Sequence, residues 1–197
     1  MTVGELVELV KVRCVDTLAL AKKPDVIIKF ISLGVSELYN KFNLSIKSET
    51  LVETVQKTLY ELRNPDVNLL LTVYDSTGRE LRQTDTYDAR DFDYKILNYR
   101  SFLLKNPIEG ELLHAVYKAS PPVLKDVNDT VDLPESMIEA LLTYVSYVGH
   151  GTINKDNMQE ASFYMQRFQQ LCMELDAQGY RIPLNSETLS VYSKGYA

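Results

Sequence analysis

Few residues of this chain have the types and spacing that catalysis or metal binding requires. The two histidines lie in different patterns, His114 in an apolar strand-like run and His150 between two glycines. Metal sites and catalytic dyads need partners that converge on one point, and neither motif supplies them. The sequence also lacks a phosphate-binding glycine loop, a G-x-S-x-G turn and a C-x-x-C pair. We therefore predict that the protein is not an enzyme and has no catalytic residue, metal site or cofactor.

An acid-rich stretch from Asp85 to Asp93 is a candidate cation site. Ca²⁺ binds about six to eight oxygen atoms, which closely spaced carboxylates can supply. The stretch lacks the glycine and the final bidentate glutamate of an EF-hand loop. A solvated loop between two strands is therefore the favoured interpretation.

The cysteines and tyrosines favour structural roles. Cys14 and Cys172 lie within apolar helical patterns far apart in the chain, which is typical of buried free thiols and not of a disulfide framework. The 13 tyrosines, in a chain without tryptophan, are frequent in the β-rich region and the C-terminal tail. Tyrosine is enriched at protein interfaces and also in strands, so both interpretations stay open. The tyrosines in question are Tyr74, Tyr87, Tyr94, Tyr99, Tyr117, Tyr180, Tyr192 and Tyr196.

Length and composition are those of a globular protein with one domain, or one domain with an inserted sub-domain. The chain has 197 residues, of which 45% are hydrophobic and 24% charged, so it can bury a core without disulfides or metal. The net charge of −6 argues against a protein that binds nucleic acid through its phosphates. The N-terminus lacks the apolar core of a signal peptide, and no run reaches the ~20 apolar residues of a membrane span. We expect a protein made in the cytoplasm, without membrane contact.

Periodicity of about 3.6 residues predicts four amphipathic helices, two in each terminal part of the chain. Their apolar stripes are expected to pack together as one core. The helices are predicted near residues 2–18, 25–42, 134–149 and 157–175. The predicted core residues are Leu6, Val10, Ile27, Phe30, Ile31, Leu38, Leu141, Val145, Phe168 and Leu175.

Local signals indicate where these helices begin and end. Thr2 and Glu5 form the T-x-x-E pattern of a capping box at the first helix. Asp25 is the predicted N-cap of the second helix, and Gly34 within its apolar stripe predicts a close helix contact. The Gly149-His150-Gly151 segment is predicted to end the third helix.

From residue 66 to 118 the pattern changes to short, apolar, β-rich runs separated by turns. In one turn, Asp75 to Gly78, the glycine is free to adopt a positive φ. These runs predict hairpins or a small antiparallel sheet. Residues 44–62 are ambiguous, because helical spacing of leucine and valine competes there with the alternation and β-propensity of a strand.

Two stretches resemble the head-to-tail adaptor, or connector, proteins of short-tailed bacteriophages. In residues 115–174, a strand ends in Pro121-Pro122, and a helix then begins at Asp132-Leu133-Pro134-Glu135 and continues into Glu139-Ala140-Leu141. Tyr144 follows in that helix, and Tyr164 and Phe168 are spaced along the next one. The N-terminal segment MTVGELVELVKVRCVDT resembles the opening helix of that family, and Lys194-Gly195-Tyr196 matches its terminal glycine-aromatic pair in kind.

The resemblance implies an α+β fold: an antiparallel helical bundle with an inserted small β-sheet region and an extended C-terminal arm. It also favours strands in residues 44–62. Residues 1–43 and 123–175 would form the bundle, 44–122 the insertion and 176–197 the arm. It further implies a structural virion protein, assembled in the host cytoplasm, that forms a homo-oligomeric ring, dodecameric in relatives, at the head-tail junction. The expected partners are the portal protein, tail nozzle or tail tubular proteins, and DNA that passes through the channel without specific binding.

The C-terminal tail is the predicted interface with the portal or a neighbouring subunit. It follows Gly179, lacks regular periodicity and carries apolar residues that need a partner. The predicted interface residues are Tyr180, Ile182, Pro183, Leu184, Leu189, Val191, Tyr192 and Tyr196. The alternatives are another phage structural subunit, such as a tail-tube or head-decoration protein, a small soluble enzyme, or a nucleic-acid-binding regulator. The missing catalytic set and the acidic charge argue against the last two.

Overall fold

A computed structural model of the chain describes residues 1–13, 23–54, 57–84, 93–153 and 158–181. In these residues it has four helices and two three-stranded antiparallel sheets, which confirms the predicted α+β class. The described chain separates into two compact units, a helical unit of residues 1–44 and 121–181 and a β unit of residues 45–120. The division into four segments with a C-terminal arm stays a prediction.

The helical unit buries one apolar face of each of its helices in a common core. The helices are α1 (Val3–Arg13), α2 (Pro24–Phe42), α3 (Glu135–Ile153) and α4 (Met158–Ala177). All ten predicted core residues are buried in this cluster. Cys172 is also buried there as a free thiol, and burial raises its pKa to about 11. Cys14 and the predicted end of the first helix lie outside the described residues.

The predicted capping box begins α1. The Glu5 backbone N–H donates to Thr2 Oγ1 at 3.2 Å, and the Thr2 N–H donates to Glu5 Oε2 at 2.8 Å. The backbone hydrogen bond from Thr2 lowers the pKa of the Glu5 carboxyl. At the other end of α1, Arg13 binds Glu139 of α3 through both guanidinium nitrogens.

Helix α2 begins one residue earlier than predicted, and Asp25 is not its N-cap. Pro24 occupies the first turn and Lys23 the cap position, where the Lys23 carbonyl accepts the N–H of Val26 at 3.0 Å. The proline ring fixes φ near the helical value, so the helix starts there without a side-chain cap. Asp25 instead lies in the first turn, where its charge favours the helix dipole.

Gly34 of α2 makes the close helix contact predicted for it. A Cβ added at Gly34 would lie 2.6 Å from Leu141 Cδ1 and 3.2 Å from Tyr144 Cδ1, both in α3. A side chain at this position would therefore force the side chains of Leu141 and Tyr144 to move.

The prediction that Gly149-His150-Gly151 ends the third helix is wrong, because α3 continues to Ile153. Packing overrides the low helix propensity of glycine here. A Cβ at Gly151 would lie 3.8 Å from the Ala161 Cβ of α4, so small residues on both helices allow a close approach. The buried His150 ring stacks on Tyr164 of α4 at 5.0 Å between centroids.

The β unit consists of two sheets with strand orders β1-β6-β3 and β2-β5-β4. Strands in residues 46–52 and 59–61 confirm the β interpretation of the ambiguous segment, and Gly78 adopts the expected positive φ of 82°. The strands are β1 (Ile46–Val52), β2 (Leu59–Glu61), β3 (Val67–Tyr74), β4 (Tyr94–Asn98), β5 (Ser101–Leu104) and β6 (Leu112–Ala119).

The core of the β unit is rich in aromatic rings. Phe102 of β5 stacks on Tyr60 of β2 at 5.6 Å and meets the ring of Tyr94 in β4 edge-on at 5.8 Å. These strands are short and contain few residues. Large aromatic rings let each of those residues bury a large apolar area.

Candidate assembly surfaces

A charged concavity in the described part of the β unit has a structural explanation. It has a volume of about 100 Å³ and is lined mainly by charged side chains. Among the described residues, no group of three or more histidine, cysteine or carboxylate side chains is placed to hold a metal ion. Within the predicted acid-rich stretch, residues 85–92 lie outside the described residues. The residues that line the concavity include Glu53, Asp75, Arg79, Asp93, Lys105 and Glu111.

Glu53 holds the loop between β5 and β6. Its Oε2 accepts the Ile108 N–H at 2.5 Å, and its backbone carbonyl accepts the Gly110 N–H at 3.1 Å. Burial raises the pKa of the Glu53 carboxyl, and the nearby charges of Glu111 and Asp75 raise it further, while the hydrogen bond from Ile108 lowers it. The carboxylate thus anchors a loop, although its burial opposes ionisation.

Asp75 organises the turn after β3. Its Oδ1 accepts the Thr77 hydroxyl at 2.6 Å, and its Oδ2 accepts Arg79 Nε at 2.9 Å. Although burial raises the pKa of the Asp75 carboxyl, these hydrogen bonds hold it below its usual value. Two acidic residues of the concavity therefore have identifiable structural partners.

Each histidine has its own local partner. His114 in β6 lies opposite Thr50 in β1, with Nδ1 at 3.2 Å from the Thr50 hydroxyl. His150 in α3 has Nδ1 at 2.9 Å from Glu160 Oε2. That contact is an ion pair only if the imidazole is protonated, and its geometry does not make a hydrogen bond among the described residues. Both contacts join neighbouring elements.

The tyrosines divide between core and surface. Tyr74, Tyr94 and Tyr117 are buried in the β unit, where burial raises the pKa of Tyr74 and of Tyr117 to about 12. Tyr99, between β4 and β5, is half exposed. The strand-propensity interpretation is therefore correct for the three buried rings. Tyr87, Tyr192 and Tyr196 lie outside the described residues.

Of the predicted interface residues in the C-terminal tail, the structure describes Tyr180. Gly179 adopts a φ of 82°, and the Tyr180 N–H then donates to the Leu175 carbonyl at 3.2 Å, which closes the end of α4. The Tyr180 ring packs, partly buried, against the helical core. The remaining seven, Ile182, Pro183, Leu184, Leu189, Val191, Tyr192 and Tyr196, lie outside the described residues.

Exposed apolar side chains on both units form candidate contact surfaces that the sequence analysis did not identify. On the outer face of α4, Met158, Phe163 and Met173 are each more than 60% exposed, among glutamines. On α1, Leu9 and Val12 are exposed on the side opposite the core. In the sequence, the signal for such a surface residue is an apolar side chain on an otherwise polar helix face. In the β unit the exposed apolar residues are Val52, Leu59, Leu69, Leu97, Tyr99, Ile108 and Leu112.

The candidate sites of the described residues are thus exposed apolar surfaces, which suit a protein that binds partners. Comparison with known proteins agrees with that interpretation. None of the helices in the described residues has the length and hydrophobicity to span a bilayer. No curated protein matches the chain. The family model described as SU10 adaptor protein matches residues 1–187. That match covers almost the whole chain, and the protein therefore belongs to the SU10 adaptor family, which implies a structural, non-enzymatic adaptor protein of a phage virion.

Proposed function

We propose that this adaptor forms a homo-oligomeric ring beneath the phage portal, at the head-tail junction. The ring extends the DNA channel and provides the platform to which tail nozzle or tail tubular proteins attach. A dodecamer is the expected size, from the resemblance described above. The same proposal includes an antiparallel arrangement of the four helices and an extended arm in residues 176–197.

The observation that supports this proposal most directly is the exposed apolar area on both units. Val12 and Met158 of the helical unit are 75% and 70% exposed, and Val52 of the β unit is 59% exposed. Such side chains lose contact with water when a partner covers them, and aromatic and methionine side chains are enriched where proteins meet. A ring subunit needs lateral surfaces of this kind, and also surfaces for the proteins above and below it.

The charge of the chain supports a channel role. With a net charge of −6, the subunits of a ring carry a summed negative charge that repels DNA phosphates. Such a ring lets the genome slide through without binding it. DNA is therefore a passing partner and not a ligand.

Electron microscopy of the purified protein, alone and mixed with its portal, tests the proposal. We expect rings coaxial with the portal and, in the mixture, co-sedimentation of the two proteins. Attachment of tail nozzle protein should require the adaptor. Particles in which the protein decorates the capsid surface or forms the tail tube would overturn the proposal in favour of a different structural role.

A further inference from the structure

Strand β1 presents an open sheet edge. Within the described residues it pairs on one side, with β6, from Ile46↔Lys118 to Val52↔Leu112 without a register shift. Just beyond the strand ends, the Ala119 N–H donates to the Ser45 carbonyl and the Glu53 N–H to the Glu111 carbonyl, each at 2.7 Å. In an antiparallel ladder the hydrogen-bonded residues alternate. The odd-numbered residues of β1 therefore bond to β6, and the backbone groups of residues 46, 48, 50 and 52 point to the open side.

Among the described residues, no proline, register shift or further strand protects this edge, and these are devices by which proteins prevent unwanted strand pairing. Its open positions are uncharged: Ile46, Ser48, Thr50 and Val52. The two charges of β1 are engaged elsewhere. Lys47 Nζ lies 2.5 Å from Asp66 Oδ2, and the Glu49 carboxylate accepts the N–H groups of residues 63 and 64.

The other sheet edges are irregular or short. β3 has two register shifts along β6, and the chain after it folds back so that the Leu81 N–H donates to the Val73 carbonyl at 2.9 Å. β4 has a register shift along β5, and β2 spans three residues. The seven-residue β1 is thus the long, regular edge in the described chain, which marks it as a pairing surface.

We propose that the open edge of β1 receives the C-terminal segment of a neighbouring subunit as an added strand. This inference rests on the proposed ring, and it names the acceptor of the arm. In strand addition, main-chain hydrogen bonds hold the partner and side-chain alternation sets its register. Within the tail, Leu189-Ser190-Val191-Tyr192 is uncharged and alternates apolar with polar or amphipathic residues, which matches the uncharged open positions of β1.

The length of the tail suits this role. Residues 182–197 number 16 and reach roughly 53 Å when extended, at ~3.3 Å per residue. Pairing along the seven residues of β1 uses roughly 23 Å of that reach at the same rise. The seven residues before Leu189 also reach roughly 23 Å, at ~3.3 Å per residue, and are available to cross to the next subunit. In a closed ring each subunit offers one arm and one edge, so every edge is filled.

Disulfide trapping in assembled rings tests the position of the arm. The double variants Thr50→Cys/Ser190→Cys and Thr50→Cys/Val191→Cys are assembled on portals, oxidised and run on a non-reducing denaturing gel, with the single Thr50→Cys variant as control. We expect a ladder of cross-linked multimers from at least one double variant. A cross-link confined to one chain, one formed to the portal, or none at all would overturn the inference. If no ring forms with wild-type protein, the proposed function fails instead.

A proline substitution in β1 distinguishes the pairing of an added strand from the folding of the subunit. Thr50→Pro removes an N–H that points to the open side, so the β1–β6 ladder keeps its hydrogen bonds. Thr50→Val keeps the N–H and, like the proline variant, loses the hydroxyl contact to His114. We expect Thr50→Pro to lower assembly of the subunit ring by roughly tenfold or more, because the edge loses one hydrogen bond to the added strand and the pyrrolidine group clashes with that strand. Thr50→Val should assemble nearly as well as wild type. Equal assembly of both variants, each with a wild-type melting curve, would contradict the inference.

Discussion

At the scale of single residues, the buried carboxyl of Glu53 shows how polar chemistry serves structure in this protein. Its carboxylate accepts the Ile108 N–H and so replaces a water ligand that the loop would otherwise need. The same burial raises its pKa above the ordinary value of 4.5. The group is therefore retained for its hydrogen bond, at a cost in stability whenever it is ionised.

Glu53→Gln should weaken the pH dependence of stability. Because the folded-state pKa of Glu53 is raised, the folded protein binds that proton more tightly than the unfolded chain does. The Glu53 contribution to stability is then largest below its unfolded pKa and is lost as the pH rises through the folded value. Glutamine keeps an acceptor oxygen for Ile108 without the charge. Urea denaturation from about pH 4 to about pH 8 should show the unfolding free energy of the variant increasing, relative to that of wild type, as the pH rises. A constant difference across that range would contradict the assignment.

Two glycines in helices should respond to substitution in opposite directions. Gly34→Leu should destabilise the helical unit by about 1–3 kcal/mol, because even a Cβ there would lie 2.6 Å from Leu141 Cδ1. Gly151→Ala should stabilise it by up to about 1 kcal/mol, since its Cβ would meet the Ala161 Cβ at an ordinary 3.8 Å and alanine favours the helix. Urea midpoints of both variants, measured against wild type, check the signs. Destabilisation by Gly151→Ala would show that α3 and α4 pack more tightly than this.

At the scale of elements, patterns that depend on local chemistry were predictable from the sequence. The capping box at Thr2 and Glu5, the helical stripes and the change to β-rich runs each have one dominant local cause. The error at the end of α3 occurs where packing decides. Gly149-His150-Gly151 stays helical because small residues let α3 approach α4, and no local signal in the sequence reveals that neighbour.

Residues on a surface were less predictable than residues in the core. The periodicity of α4 identified its buried stripe, yet Phe163 and Met173 on the opposite face follow no stripe of their own. Their exposure became visible once the helices were assembled. The edge of β1 was hidden for a similar reason, because strand order and register are set by contacts far apart in sequence.

The α1 helix should depend measurably on its cap. Thr2→Ala removes the hydroxyl that accepts the Glu5 N–H, and it should cost about 1 kcal/mol of unfolding free energy. Thr2→Ser keeps the oxygen and should behave like wild type. Chemical denaturation of the three proteins in parallel gives the comparison. A serine variant as unstable as the alanine variant would assign the effect to the threonine methyl group and not to the cap.

The contact between α2 and α3 should carry much of the stability of the helical unit. Ile31→Ala and Leu141→Ala each remove a fully buried side chain and should cost about 2–5 kcal/mol. Leu33→Ala, on the exposed side of α2, should change stability by less than about 0.5 kcal/mol. Thermal and urea unfolding of all three variants checks the contrast. If the two buried variants melt like wild type, the two side chains do not support the core.

At the scale of the whole molecule, we expect the two compact units to carry the folding of the chain and the C-terminal tail to carry its assembly. The helical unit closes at its C-terminal end with Gly179 and Tyr180, whose backbone and ring return to α4 and the core. The residues after Arg181 carry the apolar side chains predicted to bind a neighbour or the portal. Folding and assembly should therefore be separable by truncation.

A protein truncated after Arg181 should stay folded as a monomer and fail to join the portal ring. The cut lies after Arg181 and not at residue 176, the predicted start of the arm, because α4 continues to Ala177 and Tyr180 packs against the core. Circular dichroism melts should match wild type, while sedimentation with portals should show no bound adaptor. A full-length variant with Leu189→Ser and Val191→Ser keeps the length and removes the apolar anchors, so it should assemble as poorly. Wild-type yields of infectious, DNA-retaining particles from the truncated protein would show that the tail is dispensable.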